Sequence, residues 1–370
     1  MRGLILSGGA GTRLRPITHT SAKQLVPIAN KPILFYGIED MARAGITEIG
    51  IVVGDTRADI MAAVGDGSQF GVRVTYLPQD APRGLAHCVL IARDFLGEED
   101  FVMYLGDNML EAGLAGFVQN FEAERAAVGR VGLGGVGSDR IAVAQILLKE
   151  VDNPAAFGVA EVGADGEVVH LFEKPEVPPS NLALVGVYLF DPHIHDAVRA
   201  IAASPRGELE ITDAIQWLID QGHRVRHEVL QGWWIDTGKK DPLLECNRLV
   251  LDTIVGAVRG EVDEHSSVEG RVIIEAGARL ERSRVRGPAV IGAGTVLRDS
   301  YIGPYSSIAA DCEIVGSEIE NSVVLQSSRI IGIARLTESL LGRNTEVFRS
   351  GYRPHATRLM LGDHSLVDLE

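Results

Sequence analysis

Cysteine and lysine are the scarce residues of this chain, and each scarcity narrows what it can be. The three cysteines, Cys88, Cys246 and Cys312, are odd in number and far apart. They form neither a disulfide framework nor the paired spacing of a zinc site, so reduced thiols and a cytoplasmic setting are expected. Of 35 Lys+Arg residues, lysine supplies only Lys23, Lys31, Lys149, Lys174, Lys239 and Lys240. Arginine-biased coding accounts for most of this, yet a lysine kept in such a chain hints that a compact, flexible ammonium was needed there. Basic runs are also missing. With 50 acidic side chains the net charge is −15, which makes nucleic acid and anionic membranes poor partners. A few local cations could still hold a small phosphate. Long apolar runs are absent too: LALVGVYLF is cut off by Asp191, far short of the roughly eighteen residues of a membrane span. The opening MRGLILSGG turns glycine-rich too soon for a secretory apolar region. A soluble protein is expected.

Hydrophobic residues at 46% are enough for a real core, and 370 residues suggest two domains. Up to residue 240, short apolar runs (GLIL, EIGIVVG, VRVTYL, FVMYLGD, LALVGVYLF) alternate with helix-period segments such as PILFYGIEDMARAG and GLAHCVLIARDFLG. That alternation predicts an α/β domain with a mainly parallel, mixed sheet, and ligands gather outside the carboxyl ends of such strands. GEVVHLFEKP reads as an added strand flanking that site. From about residue 265 the period becomes six: Val268, Ile274 and Leu280, then Val290, Val296, Ile302, Ile308 and Ile314. One aliphatic per hexapeptide, separated by small and polar residues, is the pattern of a parallel β-helix with about eighteen residues per coil. The expected division is a domain over 1–240, a helical linker over 241–264, the β-helix over 265–352 and a tail over 353–370.

Ser7-Gly8-Gly9-Ala10-Gly11-Thr12-Arg13-Leu14 follows the first predicted strand. Glycines there let backbone N–H groups close on phosphate oxygens, and Arg13 adds a bidentate cation. A Walker A loop is excluded because no lysine follows Gly11, and the dinucleotide fingerprint fails because Leu14 replaces its third glycine. Taken alone, such a turn is often only a turn.

The stretch GGAGTRLRPITHTSAKQLVPIANKPIL resembles the signature of the hexose-1-phosphate nucleotidylyltransferases. It is closest to the glucose-1-phosphate thymidylyltransferases in their long form, which carry a C-terminal hexapeptide domain. The resemblance spans essentially the whole chain and implies a Rossmann-like catalytic domain followed by a left-handed β-helix. It also implies roles. Ser7, Gly8, Gly9, Gly11, Thr12 and Arg13 would hold the triphosphate, and Gln24, Gln79 and the Gly84 backbone would read the pyrimidine. Asp107 and Asp236 would bind Mg²⁺, with Arg13, Lys23 and Lys174 as the catalytic cations. Gly158, Glu173, Lys174, Val185 and Trp234 would form the sugar-phosphate site, with Arg206 to Asp213 a further block beside it. Phe157 departs from the tyrosine of many short-form relatives.

The implied reaction joins dTTP and glucose 1-phosphate and releases pyrophosphate. Its nucleophile, a phosphate monoester with second pKa near ~6, needs no general base at pH 7; charge neutralisation and positioning dominate instead. An amide at Gln24 can pair with the O4/N3–H edge of thymine or uracil but cannot tell them apart. A UTP-using or other-hexose relative therefore stays open, as does a non-catalytic sugar-nucleotide sensor. An acyltransferase β-helix is disfavoured because residues 266–350 hold no histidine and no lysine. Self-association through the β-helix is expected.

Overall fold

The computed structural model describes residues 1–9, 11, 14–19, 22–130, 141–164 and 166–349. Thr12, Arg13 and the expected tail over 353–370 lie outside the described residues. The chain divides into two compact units: Met1–Ala10 with Leu34–Trp234, and Gly11–Ile33 with Ile235–Glu370. The glycine-rich signature is thus split, its larger part belonging to the unit that holds the C-terminal residues.

In the first unit Arg2–Ser7 is a strand buried almost throughout, flanked in parallel by Glu48–Val53 and Phe101–Leu105. Arg73–Pro78 adds in parallel beyond Glu48–Val53. Helices Ile33–Arg43 and Leu85–Ile91 are crossovers between these strands, as parallel neighbours require. On the other side Leu182–Phe190 runs antiparallel to Phe101–Leu105, Ala142–Glu150 and Gly158–Val162. The sheet is therefore mixed, parallel on one half. Ala142–Glu150, which also pairs with Arg224–Val229, was not among the strands read from sequence; it is buried on both faces through Leu148 and, broken only by Gln145, its apolar run carries no alternation to separate strand from buried helix. Leu4, Phe101, Met103, Ile146, Tyr188, Phe190 and Ile215 lie in one continuous core.

In the second unit, Lys240–Leu251 is a helix, and strands then stack into three parallel sheets of six, six and four. This is a left-handed parallel β-helix. The expected helical linker over 241–264 is helical only in its first half: the helix stops at Leu251, and Ala257–Val258 already pairs with Ile273–Ile274. The β-branched run Thr253-Ile254-Val255 disfavours helix there.

The coil length also differs from the eighteen expected. Ile273, Val290 and Ser307 are partners at intervals of seventeen, with sixteen from Ser307 to Val323. The interior column runs Ile274, Leu280, Val285, Ile291, Leu297, Ile302, Ile308, Ile314 and Ile319. Two steps of six are followed by one of five. The inward residues on two strands are consequently Ile291 and Leu297, not their neighbours Val290 and Val296. At one corner, hydroxyls make a ladder between coils: Ser266 Oγ accepts from Ser283 N, Ser283 Oγ from Ser300 N, and Ser300 Oγ from Ser317 N, at 2.9, 3.1 and 3.2 Å. Small polar residues recur there because each must fit a corner and satisfy the next coil's amide.

Ile302 is fully buried in that column. Ile302→Ala should destabilise the β-helix by about 2–5 kcal/mol, read as a lower urea midpoint followed by far-UV circular dichroism. An unchanged midpoint would mean the column does not hold the coils together.

Candidate functional site

The strand Arg2–Ser7 ends on Ser7, which is fully buried with an Oγ that finds no partner among the described residues. Gly8 follows, and a Cβ there would come within 2.9 Å of Gln79 Oε1. Two residues far apart in sequence therefore meet, and only glycine leaves the amide its place. Gly9 is exposed. Gln79 Nε2 lies 3.0 Å from His87 Nδ1. Burial, reinforced by Arg83, holds His87 below the ordinary histidine range against the opposing pull of Asp80, so the neutral ring can accept the amide hydrogen. His87 was not singled out from sequence; its place three residues beyond Gly84 was the available signal. Gly84 has φ 97°, and a Cβ would fall 2.4 Å from the Leu209 carbonyl oxygen. Close approach and backbone conformation both demand glycine here. The contact is sealed by hydrogen bonds from Leu209 N to Arg83 O and from Ala86 N to Leu209 O.

Asp107 follows the strand Phe101–Leu105 and is half-buried. Its neighbour Asn108 is almost fully buried and well connected: Trp234 Nε1 donates to Oδ1 at 2.6 Å, Tyr104 Oη donates to the Asn108 carbonyl at 2.7 Å, and Nδ2 donates to Asp107 Oδ1 at 3.3 Å. Trp234 also packs its ring against Phe157, centroids 5.0 Å apart. The ring at 157 thus serves as an apolar wall.

Val185 sits in an irregularity of Leu182–Phe190. Leu184 pairs with Leu148 and Tyr188 with Ile146, leaving Val185, Gly186 and Val187 opposite one residue, with Gly186 at φ 86°. Bulges of this kind release backbone groups from the ladder and are common beside active sites. The next element brings the charges. Glu173 Oε1 accepts from Arg206 Nη2 at 2.9 Å and lies 3.4 Å from Lys174 Nζ, while Thr212 Oγ1 donates to Oε2 at 3.3 Å. Lys174 has φ 43°, and its amide donates to the Phe157 carbonyl. A Cβ on Gly158 would come within 3.4 Å of Glu173 Oε2 and 3.0 Å of Thr212. Glu173, Lys174, Gly158 and the Arg206 block are therefore gathered. Burial, with Glu210 and Glu173 adding, pushes the Asp213 carboxyl up against the pull of Arg206. Thr212 was read only as part of the Arg206 to Asp213 block and Asn108 was given no role, since nothing in sequence separates either from an ordinary polar residue.

In the second unit, Gly11 has φ 62°; its carbonyl accepts from Thr18 Oγ1 at 2.7 Å, and a Cβ would meet Lys23 Cβ at 2.9 Å. Lys23–Leu25 is a single 3₁₀ turn. Lys23 Nζ lies 3.6 Å from Asp236 Oδ1, which also accepts from Gly238 N at 2.9 Å. Gln24 is 3% exposed, and its Oε1 has no partner among the described residues. A buried acceptor left open costs stability, and a ligand donor would relieve it. No group of three or more metal-binding side chains occurs among the described residues. Asp107 and Asp236 nonetheless supply hard carboxylate oxygens, the donor type that suits Mg²⁺ bound by one or two carboxylates and substrate phosphates.

The β-helix carries its own open groove of about 460 Å³, lined by His265, Arg282, Arg284, Asp299, Tyr301 and Glu318 among others. Arg282 is spent on Asp299 through bonds of 2.6 and 2.7 Å. Cys88, Cys246 and Cys312 are buried and free, and burial pushes the first two thiols up to about 12. No helix among the described residues is long and apolar enough to cross a membrane.

Residues 2–253 match a family described as nucleotidyl transferase. A glucose-1-phosphate thymidylyltransferase from Streptomyces griseus is 55% identical over 99% of this chain and 98% of its own. Another bearing that name, from Streptomyces antibioticus, is 52% identical over the full length of both. Among solved structures, a Bacillus anthracis chain described as a glucose-1-phosphate thymidylyltransferase in complex with a sucrose superposes with TM-score 0.61 at 32% identity. It covers 70% of this chain and 98% of its own.

The Gln79–His87 pair generates a pH prediction. A histidine whose folded pKa lies below its unfolded value contributes stability that is present above the unfolded value of about 6.5 and lost as pH falls from there through the folded one. The loss in urea midpoint between pH 8 and pH 5.5 should be smaller in His87→Gln than in the parent. Equal losses in the two proteins would remove His87 from the balance.

Proposed function

The chain belongs to the nucleotidyl transferase family, and from that premise we propose that it transfers a thymidylyl group from dTTP to glucose 1-phosphate, giving dTDP-glucose and pyrophosphate. The buried, open acceptor of Gln24 carries the reading: it fits the N3–H of a pyrimidine such as thymine. The choice of thymine over uracil and of glucose over other hexoses is supported by the names of the full-length relatives.

In this reading a glucose 1-phosphate oxygen attacks the α-phosphorus in line, forming one O–P bond while the bond to the β-phosphate oxygen breaks. Two anions must approach, so the work of the protein is to position them and to spread their charge. Arg13, Lys23 and the N–H groups of the Ser7–Thr12 loop take the triphosphate and the departing pyrophosphate. Gln24, Gln79 and the Gly84 backbone orient the base. Lys174 holds the sugar phosphate, and Glu173, the Gly158 and Val185 backbones and the Trp234 face hold the sugar. Asp107 and Asp236 would hold Mg²⁺, which when bound screens the facing phosphates. We place the protein in the cytoplasm, in keeping with its free thiols, and assign self-association to the β-helix, whose end strands Ala257–Val258 and Glu346–Phe348 pair on one side only among the described residues.

A pyrophosphate-release assay over dTTP, UTP, glucose 1-phosphate and galactose 1-phosphate tests the reading. The highest kcat/KM should belong to dTTP with glucose 1-phosphate, and no release with any pair would end it. Asp107→Asn and Asp236→Asn should each lower turnover by on the order of 10²-fold or more while leaving the fold intact. Parent-like turnover of both at saturating Mg²⁺ would refute the metal assignment. Lys174→Arg keeps the charge but broadens it beside Arg206, and should raise KM for glucose 1-phosphate about tenfold, or ~1.4 kcal/mol. A parent-like KM would show that an ammonium is not required.

A further inference from the structure

We propose that Asn247 is a positioning residue through which the β-helix sets the conformation of the nucleotide-binding segment, an inference that rests on the roles just given to Lys23 and Gln24. Asn247 lies on the helix Lys240–Leu251 and is 1% exposed. Its Oδ1 accepts from Ala29 N at 2.9 Å and from Ser307 Oγ at 2.7 Å, and its Nδ2 donates to the Tyr305 carbonyl at 3.2 Å. Ala29 belongs to the signature segment; Tyr305 and Ser307 belong to a coil. One buried amide thus spans the two through three hydrogen bonds, two taken by its oxygen and one given by its nitrogen, and a buried polar network of this kind favours a single arrangement. A second bond, from Asn30 Nδ2 to the Ile308 carbonyl at 2.7 Å, ties the same pieces together without Asn247.

The tie falls where the segment most needs it. Pro27 pairs with Pro32 and Ile28 with Lys31, closing a two-residue hairpin turn at Ala29 and Asn30, whose φ values are 48° and 63°. Successive left-handed residues suit asparagine and glycine; alanine disfavours that conformation, so an external hold keeps the turn formed. Upstream the connection is short. Val26 N donates to Lys23 O and Ile33 N to Val26 O, coupling the hairpin to the turn that carries Lys23 and Gln24. Glu173 and Lys174 lie in the other unit. Loosening the tie should therefore weaken the triphosphate and spare the sugar phosphate.

The test uses the full chain with Asn247→Ala and the milder Ser307→Ala, reading both substrate KM values by pyrophosphate release and backbone amide exchange by mass spectrometry. Asn247→Ala should raise KM for dTTP about tenfold, the scale of losing a buried hydrogen-bonding group. KM for glucose 1-phosphate should stay within about twofold. Ser307→Ala should move the same way by about threefold, and residues 23–30 should exchange faster in both. Parent-like dTTP KM and exchange in both variants would overturn the proposal, as would equal rises in the two KM values. Should Asn247→Ala fail to fold, Ser307→Ala decides by the same criteria. A parent without turnover would sink the thymidylyltransferase reading alone, since faster exchange at 23–30 still reports whether the coil braces the segment.

Discussion

One buried amide, that of Asn108, holds the chemical end of the catalytic unit together. Its backbone carbonyl takes the Tyr104 hydroxyl, its side-chain oxygen takes the Trp234 indole, and its nitrogen reaches Asp107. Remove those bonds and three things lose their reference at once: the end of the central strand, the direction of a carboxylate, and the tryptophan wall against Phe157. Each bond contributes about 1 kcal/mol net, but a buried amide left unpaired costs more than the bond it lost. That asymmetry makes the arrangement nearly all-or-none, and an active site gains from it because a carboxylate with one allowed direction needs no reorganisation when substrate arrives.

The side proposed to hold the sugar is organised by charge. Glu173 has both oxygens engaged before any ligand is present, by Arg206, Lys174 and Thr212. Arg206 in turn reaches Glu208 and Glu210. In water an exposed pair of this kind is worth little; its use here is directional. The carboxylate is aimed, and the Lys174 ammonium is kept beside it on a backbone turn that few side chains tolerate. The overall charge of −15 gives no hint of this local arrangement, because it averages over a surface that the site does not share.

The strands of the parallel half were legible because they are short, mainly apolar runs, several of them closed by glycine or aspartate, as in EIGIVVG and FVMYLGD. Gln24, Lys23 and Asp107 stood out because they sit in a dense motif with a fixed order. Asn108 and Asn247 did not, since an asparagine's importance depends on burial and partners, and both arise from residues more than a hundred positions away, such as Trp234 and Ala29. The β-helix shows a different limit. Its period was visible, but the phase was not: Val290 and Ile291 are equally aliphatic, and only the five-residue step from Leu280 to Val285 decides which one faces inward. Local composition reports that a residue is apolar; it does not report which way the chain has turned.

The interior column shows how the β-helix absorbs a change of length. The step from Ile302 to Ile308 is six residues, while the equivalent step from Ile319 to Val324 is five. That coil therefore holds sixteen residues between Ser307 and Val323 where the coils before it hold seventeen. The serine ladder follows: Ser266, Ser283 and Ser300 Oγ each accept from an amide seventeen residues on, and Ser317 Oγ accepts from Ile333 N sixteen on. Later side chains keep their phase because the missing residue comes out of the connection at a corner and not out of a strand. Length in this part of the molecule can thus change by single residues at the corners, while the short strands between them stay fixed.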